Sequence, residues 1–420
     1  MLLTKPLIGV VGLFEKLKDC FSFLQILTFL KPHFYFIKDK FSSLENFTTK
    51  NLKFSRLSMF NIKKQIKLLY VSSIMGQISL SAAWVAILAV RGFSLAQIGL
   101  AEMIFHIVSL SAEIPSGVFA DVFGRKKTLV ISSVMRNISN LIMVLSNDFF
   151  MVCLAMGFNA LHYNFLSGAG EALAYDSLKS VGQESQFERY ASNEMIIYRL
   201  CEGLCLLLSG FSLFVGYKIA YSVNIFFGIW QMLFLLKLKE VRLDSAPKNQ
   251  NIWKEIGKCF KKSFAFLIEE KKALMLMFAN SFVGALDVLL VFFLQAKLPQ
   301  AGMPSWALGF ALFFMQLGGI FGAKLVLVLK KVRYKTLFWF MTSLVILGIL
   351  LEHSGFYLIM TLGGVISILA DDILQIRTNC ILQDMFPSEQ RATLISIECF
   401  TFSVLMIVFS PLAGLFFEIW

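Results

Sequence analysis

An all-helical protein embedded in a membrane is the fold class this sequence predicts, and three observations predict it. Of its 420 residues, 57% are hydrophobic and only 16% are charged, whereas soluble domains carry roughly 25% charged residues. Mean hydropathy is +0.72, and the 44 phenylalanines would give a soluble monomer more apolar surface than water tolerates. The apolar residues also fall in long runs, and about 20 such residues cross the hydrocarbon core as a helix.

Eleven runs of spanning length are present, at residues 68–90, 96–119, 128–146, 149–175, 192–214, 217–236, 273–295, 305–329, 334–351, 356–382 and 392–416. Short turns join most of them, so consecutive helices are expected to be antiparallel neighbours. Residues 1–58 form an N-terminal extension in which Glu15, Lys16, Lys18, Asp19, Lys31 and Pro32 interrupt the apolar stretches. An interfacial or poorly ordered segment is expected there, too long and too interrupted for a signal peptide. Met59, followed by FNIKKQIK and the first span, is a candidate alternative start. Residues 59–236 then make an N-terminal bundle of six helices, 237–272 a cytoplasmic linker rich in Lys and Glu, and 273–420 a C-terminal bundle of five. Within the linker, Ile252 to Ile268 alternates apolar residues and lysines at helical spacing, the pattern of an interfacial or a solvated linker helix.

The net charge of +12 admits nucleic acid as a partner or a membrane orientation signal, and the placement of the charges decides between them. Basic residues cluster before the first span (Lys53, Arg56, Lys63, Lys64, Lys67), after the second (Arg125, Lys126, Lys127) and after later ones (Lys330, Lys331, Arg333, Lys335). All these clusters lie on one face. The positive-inside rule makes that face cytoplasmic, with the N-terminus inside and the C-terminus outside. No nucleic-acid partner is needed. The seven cysteines, Cys20, Cys153, Cys201, Cys205, Cys259, Cys380 and Cys399, have neither metal-ligand spacing nor a disulfide pattern. Cys201 and Cys205, one turn apart, read as packing residues. The four histidines, His33, His106, His162 and His353, lie on separate segments, and no nucleotide-binding loop is present. No metal site, cofactor or enzymatic activity is therefore expected.

GVFADVFGRKKTL, from Gly117 to Leu129, lies where the second span meets the basic face. A glycine on a helix, here Gly117, lets a neighbouring helix approach, and Gly124 permits a tight turn. Asp121 sits at the membrane edge, where Arg125 or a helix N-terminus stabilises a carboxylate. The segment resembles the signature of the major facilitator superfamily, G-x-x-x-D-x-x-G-R-[RK], at Gly117, Asp121, Gly124, Arg125 and Lys126. EIPSGVFAD (Glu113 to Asp121) and SGAGEALAYDSL (Ser167 to Leu178) are similar to segments of bacterial drug-efflux members, and FPSEQRATLIS (Phe386 to Ser396) resembles the loop leading into helix 11.

The resemblance covers residues 59–420 and implies a two-bundle transporter whose halves rock about a midplane substrate site. In that reading the motif is a conformational latch that closes against helix 11. The implied activity is secondary active transport, proton-coupled efflux of drugs or amphipathic small molecules, by a monomer in a bacterial cytoplasmic (inner) membrane. Its partners would be a small-molecule substrate, protons and the lipid bilayer, with no cofactor beyond a proton gradient. The sequence departs from the drug/proton antiporter pattern in having no Arg in helix 4 and no Pro in YRLCEGLCLLLSG of helix 5. A full member also has one helix more than the eleven read here, so the last is missing. Metabolite or siderophore transport, and a truncated product without transport, are the alternatives.

Charged residues inside a bilayer cost at least about 2.5 kcal/mol on insertion scales, so each is a functional candidate. On the second span Glu102, His106 and Glu113 fall within a sector of about 40° at about 100° per residue, one polar stripe. On the fourth, Glu171 follows the small-residue run SGAG and leads the candidates for proton coupling, while Asp176 reads as a gate or cap. Arg199 and Glu202 are spaced to neutralise each other. Arg136 has no partner in its own helix and should meet a carboxylate across the bundle, Glu171 or Glu113. In the second half Asp287, Asp371 and Asp372 are expected to be the only strongly intramembrane acids. Arg377 and Asp384 share a face and are expected to form a structural gate, and Glu398 has no assigned role. The Phe and Met residues suit either an adaptable apolar pocket or lipid-facing packing.

Overall fold

In hydrocarbon no water serves the peptide groups, so a spanning segment must close its own hydrogen bonds, which a helix does alone. The structure, a computed structural model, describes residues 61–241, 268–385 and 391–419, and the regular structure among them is all helical. In chain order the α-helices are α1 (Ile62–Gln77), α2 (Trp84–Val90), α3 (Leu95–Phe123), α4 (Arg125–Leu145), α5 (Phe149–Leu166), α6 (Ala169–Lys179) and α7 (Phe187–Leu207). There follow α8 (Ser209–Val215), α9 (Tyr217–Leu236), α10 (Lys271–Gln300), α11 (Ser305–Val328), α12 (Tyr334–Glu352), α13 (Tyr357–Met385) and α14 (Arg391–Ile419).

Among the described residues nine stretches are long and apolar enough to cross a membrane, and α7 with α8, bent by 46°, makes a tenth. The expected first span, 68–90, is not continuous: it divides into α1 and α2 around a break at Ile78 to Ala83. The fourth span is likewise interrupted at Ser167 and Gly168, where Gly168 takes a positive φ of 67°, and α5 and α6 together form one crossing. The N-terminal extension, Ile252 to Leu267 of the proposed linker helix and Phe386 to Gln390 lie outside the described residues.

Local chemistry sets the helix starts. Ser94 and Gln97 form a reciprocal capping box at α3, each satisfying one of the amides that a helix start leaves without a partner. Asp148 caps α5 through a 2.8 Å bond from the Met151 amide. The turn between α3 and α4 is a single residue, Gly124, with φ of 104°, a backbone region that favours glycine. The amides of Arg125 and Lys126 then donate to the two carboxylate oxygens of Glu240, each at 2.9 Å.

The helices pack so that α3 runs beside α14 and α5, while α10 lies against α13 and α14. Contacts also join α2 to α10, and α7 and α8 to α11. On the face opposite the basic turns these contacts are tight. A Cβ at Gly99 would strike the Ser410 backbone, and one at Gly414 the Leu95 carbonyl, the close approach that small residues permit between membrane helices. Glu418 accepts from the Ala96 amide there at 2.9 Å. A buried apolar plug that includes Leu88, Ile98, Met156, Phe293 and Met406 fills the same half. Toward the basic turns α3 and α14 instead border a cavity.

Candidate functional site

The break in the first span is held by side chains from four other helices. The amides of Ser79, Leu80 and Val85 donate to Cys205 Sγ (3.2 Å), Asn224 Oδ1 (2.9 Å) and Gln295 Oε1 (3.2 Å). The Ile78 carbonyl accepts from Arg136 Nη2 at 2.9 Å. Freed backbone groups at membrane depth need such partners, and broken helices occur where protein supplies them. The polar run Ser79, Ser81 inside an apolar stretch was the available signal for the break.

Arg136 therefore corrects an expectation. It is buried, at 6% exposure, and it meets the Ile78 carbonyl and Gln231 Oε1 (3.3 Å) instead of Glu171 or Glu113. Glu171 lies in the first turn of α6, beyond the Gly168 break, exposed and without a hydrogen bond or ion pair to any described residue. α6 packs on α4, with Leu129 clustered against Ala169 and Leu173, while Glu171 is on its exposed side. Glu113 is committed elsewhere, to Asn164.

The stripe on α3 resolves into two groups. Glu102 Oε1 and His106 Nε2 are 3.3 Å apart and buried, and His106 Nδ1 lies 3.4 Å from Ser403 Oγ of α14. Glu113 is farther along and lines a cavity of about 710 Å³ bordered by α3, α5, α10, α13 and α14. Asn164 Nδ2 donates to Glu113 Oε2 at 2.8 Å, and across the cavity Asn280 Nδ2 donates to Glu398 Oε1 at 3.2 Å. Glu398 thus acquires a place, and the two asparagines were missed. A search for amides as well as charges inside apolar helices would have found them in LHYNFLSG and LMFANSFVG. Tyr163, Phe400 and Phe402 supply the aromatic wall, and no methionine is among the lining residues described.

Of the acids expected in the second half, Asp287 Oδ1 accepts from Ser367 Oγ at 2.5 Å. Asp371 Oδ2 accepts from Gln375 at 2.9 Å while its Oδ1 is buried without a partner. Asp372 lies against Gly319 of α11. They are not the only buried acids: Glu352 is 4% exposed and neither of its oxygens has a partner. It ends α12 one residue past the expected span, where a hydropathy boundary reads it as loop. Among the described residues no group of three or more His, Cys, Asp and Glu side chains is placed to hold a metal ion.

At the basic face Arg125 Nε pairs with Asp176 Oδ2 at 3.2 Å, and Lys126 Nζ donates to the Leu236 carbonyl at 2.8 Å. Gly117 has open space where a Cβ would stand, so the close helix approach expected there is absent. α3 and α14 diverge toward this face around the cavity. The side chains of Asp121 and Asp384 lie outside the described residues, and Arg377 Nη2 is 3.4 Å from the Val332 carbonyl. Arg199 and Glu202 meet at 3.3 Å, both partly exposed.

Comparison with known proteins bears on this geometry. Residues 68–410 match the Major Facilitator Superfamily. An uncharacterized MFS-type transporter of Bacillus subtilis (strain 168), YxaM, is 26% identical over 270 residues, 61% of this chain and 62% of that protein. The chain thus spans less than two thirds of that relative. Among solved structures, the nucleoside transporter NupG superposes with a TM-score of 0.65 at 16% identity, covering 86% of this chain and 92% of that one. A D-xylose-proton symporter superposes with a TM-score of 0.61 at 11% identity over 83% and 89% of the two chains. At these identities the two likenesses speak for the fold.

Proposed function

Because the chain belongs to the Major Facilitator Superfamily, we propose that it is a secondary active transporter that exports amphipathic small molecules, drugs among them, against a proton flux. The observation that carries this reading is the cavity of about 710 Å³, which lies in the half near the basic turns while the opposite half is plugged by packed apolar side chains. A cavity of that volume suits a drug-sized ligand. With the basic face cytoplasmic, as the positive-inside rule favours, this is an inward-facing state of the alternating-access cycle. The bundles 59–236 and 273–420 are then the moving bodies, joined by the linker 237–272.

Proton coupling is supported by Glu113 and Glu398 in the cavity wall and by Asp371 and Glu352, whose unpartnered oxygens can take up and release a proton without breaking other bonds. Asp121, Arg125 and Lys126 are proposed to set the balance of inward and outward states. Arg125 and Asp176 hold the α3–α4 turn to α6, and the open space at Gly117 would close when α14 swings toward α3.

The test is transport in inverted vesicles, with a panel of dyes and antibiotics, with and without a proton gradient. Gradient-dependent accumulation is expected, abolished by Glu113→Gln if that acid couples and by Glu171→Gln if the α6 acid does. Accumulation identical to that of empty vesicles would overturn the reading.

A further inference from the structure

The cavity wall carries two like stations, one from each half of the chain. In the first, Asn164 of α5 donates Nδ2 both to Glu113 Oε2 (2.8 Å) and to the Ser109 carbonyl (2.8 Å). In the second, Asn280 of α10 donates Nδ2 to Glu398 Oε1 (3.2 Å). Only an amide nitrogen can donate to a carboxylate, so in both residues the oxygen is turned away from the acid. In both that Oδ1 is buried without a partner, on side chains only 4% and 6% exposed. Each station therefore presents to the cavity a carboxylate held by an amide N–H, while the amide oxygen is itself closed off from contact.

No Lys, Arg or His is among the lining residues described, so the two carboxylates have no countercharge among them. Carboxylates without a countercharge are costly to hold away from water, and a ligand that supplies the charge relieves that cost. A charged N–H donor does so most strongly. We infer that the cavity selects a small organic cation carrying N–H donors at two points, a diamine or polyamine, which engages the Glu113–Asn164 and Glu398–Asn280 stations together. An anion would meet two carboxylates, and an aprotic cation could give them no hydrogen bond. Phe400 and Phe402 suit the methylene stem between the amines. This inference rests on the transporter reading for its physiological meaning, and binding tests it separately.

Cys399 is exposed and lines the cavity, while Cys380 is exposed and outside it. The full chain in detergent is modified with a maleimide, and each cysteine is followed by peptide mass spectrometry with spermidine, butylamine, butanediol or succinate present. Spermidine should slow modification of Cys399 and not of Cys380, at a concentration about tenfold below that needed of butylamine. Butanediol and succinate should have no effect. Glu113→Gln and Glu398→Gln should each weaken the protection about tenfold, in variants whose melting temperature matches the parent's; Glu113→Ala and Glu398→Ala, with the same expected loss, serve if a glutamine variant does not fold. Equal protection by butanediol or succinate, or protection unchanged in both glutamine variants, overturns the inference. Vesicles that transport a dye while spermidine gives no protection would sink this inference and leave the transporter reading intact. Protection without transport of any probe would do the reverse.

Discussion

The two halves of the described chain bury charge in opposite ways. In residues 61–241 the buried Arg136 sits in a connected network: it donates to the Ile78 carbonyl and Gln231, while Asn224 bonds both Ser81 Oγ (2.7 Å) and Asn140 Oδ1 (3.3 Å). Among the described residues of 268–419 the buried charged groups are Asp287, Glu352 and Asp371, with one oxygen of Asp371 and both of Glu352 unpartnered and no Lys or Arg of this half buried with them. A satisfied network specifies one arrangement and rigidifies it, whereas a partly satisfied one is unstable until something arrives to complete it. The first half reads as a frame that holds a broken helix. The second holds acids that are free to serve the proposed proton coupling.

Mutation at the centre of the frame gives the largest expected effect. Arg136→Ala removes two charge-assisted bonds and strands the Ile78 carbonyl, at a cost of about 3 kcal/mol in stability, read as a lowered melting temperature and poor recovery from the membrane. A melting temperature equal to the parent's would erase the contrast between the halves. In the second half the same experiment should run the other way. Glu352→Gln and Asp371→Asn should leave the melting temperature unchanged or raised, because no partner is lost, while gradient-driven transport falls about tenfold, equivalent to about 1.4 kcal/mol. If both variants melt as low as Arg136→Ala, the acids are structural and the contrast is lost.

Smaller effects sharpen the picture at the basic face. Glu240→Ala frees two amides at the start of α4 and should lower stability by about 1 kcal/mol, as loss of a helix cap does. Arg125→Ala breaks a pair whose arginine is 31% exposed, so a stability change below about 1 kcal/mol is expected. Its effect should appear in the balance of states, as a changed rate of Cys399 modification in the absence of ligand. An unaltered rate would show that the Arg125–Asp176 pair holds the turn and nothing more.

Some of this was legible residue by residue. The Gly124 turn, the contact of Glu102 with His106 and the Arg199–Glu202 pair all follow from spacings of one turn or less along a helix, where neighbours in sequence are neighbours in space. Asn164 and Asn280 were passed over because attention to charge alone ignores amides, whose burial also needs partners. Glu352 fell one residue outside a span boundary that hydropathy locates only within a few residues.

The sequence by itself determined the solvent and therefore the helices. Each apolar run must satisfy its own backbone in hydrocarbon, a requirement written in consecutive residues and readable there. The signature around Gly124 likewise pointed to the superfamily to which the chain belongs. Only the tertiary structure decided which groups hold the break in the first span, that Arg136 serves a carbonyl and not a carboxylate, and that Glu113 and Glu398 share one cavity. Those outcomes depend on groups far apart in the chain, 58 residues between Arg136 and Ile78 and 118 between Asn280 and Glu398. Helix packing in a bilayer is set by shape and small-residue contact, and a linear pattern does not say which polar faces it brings together.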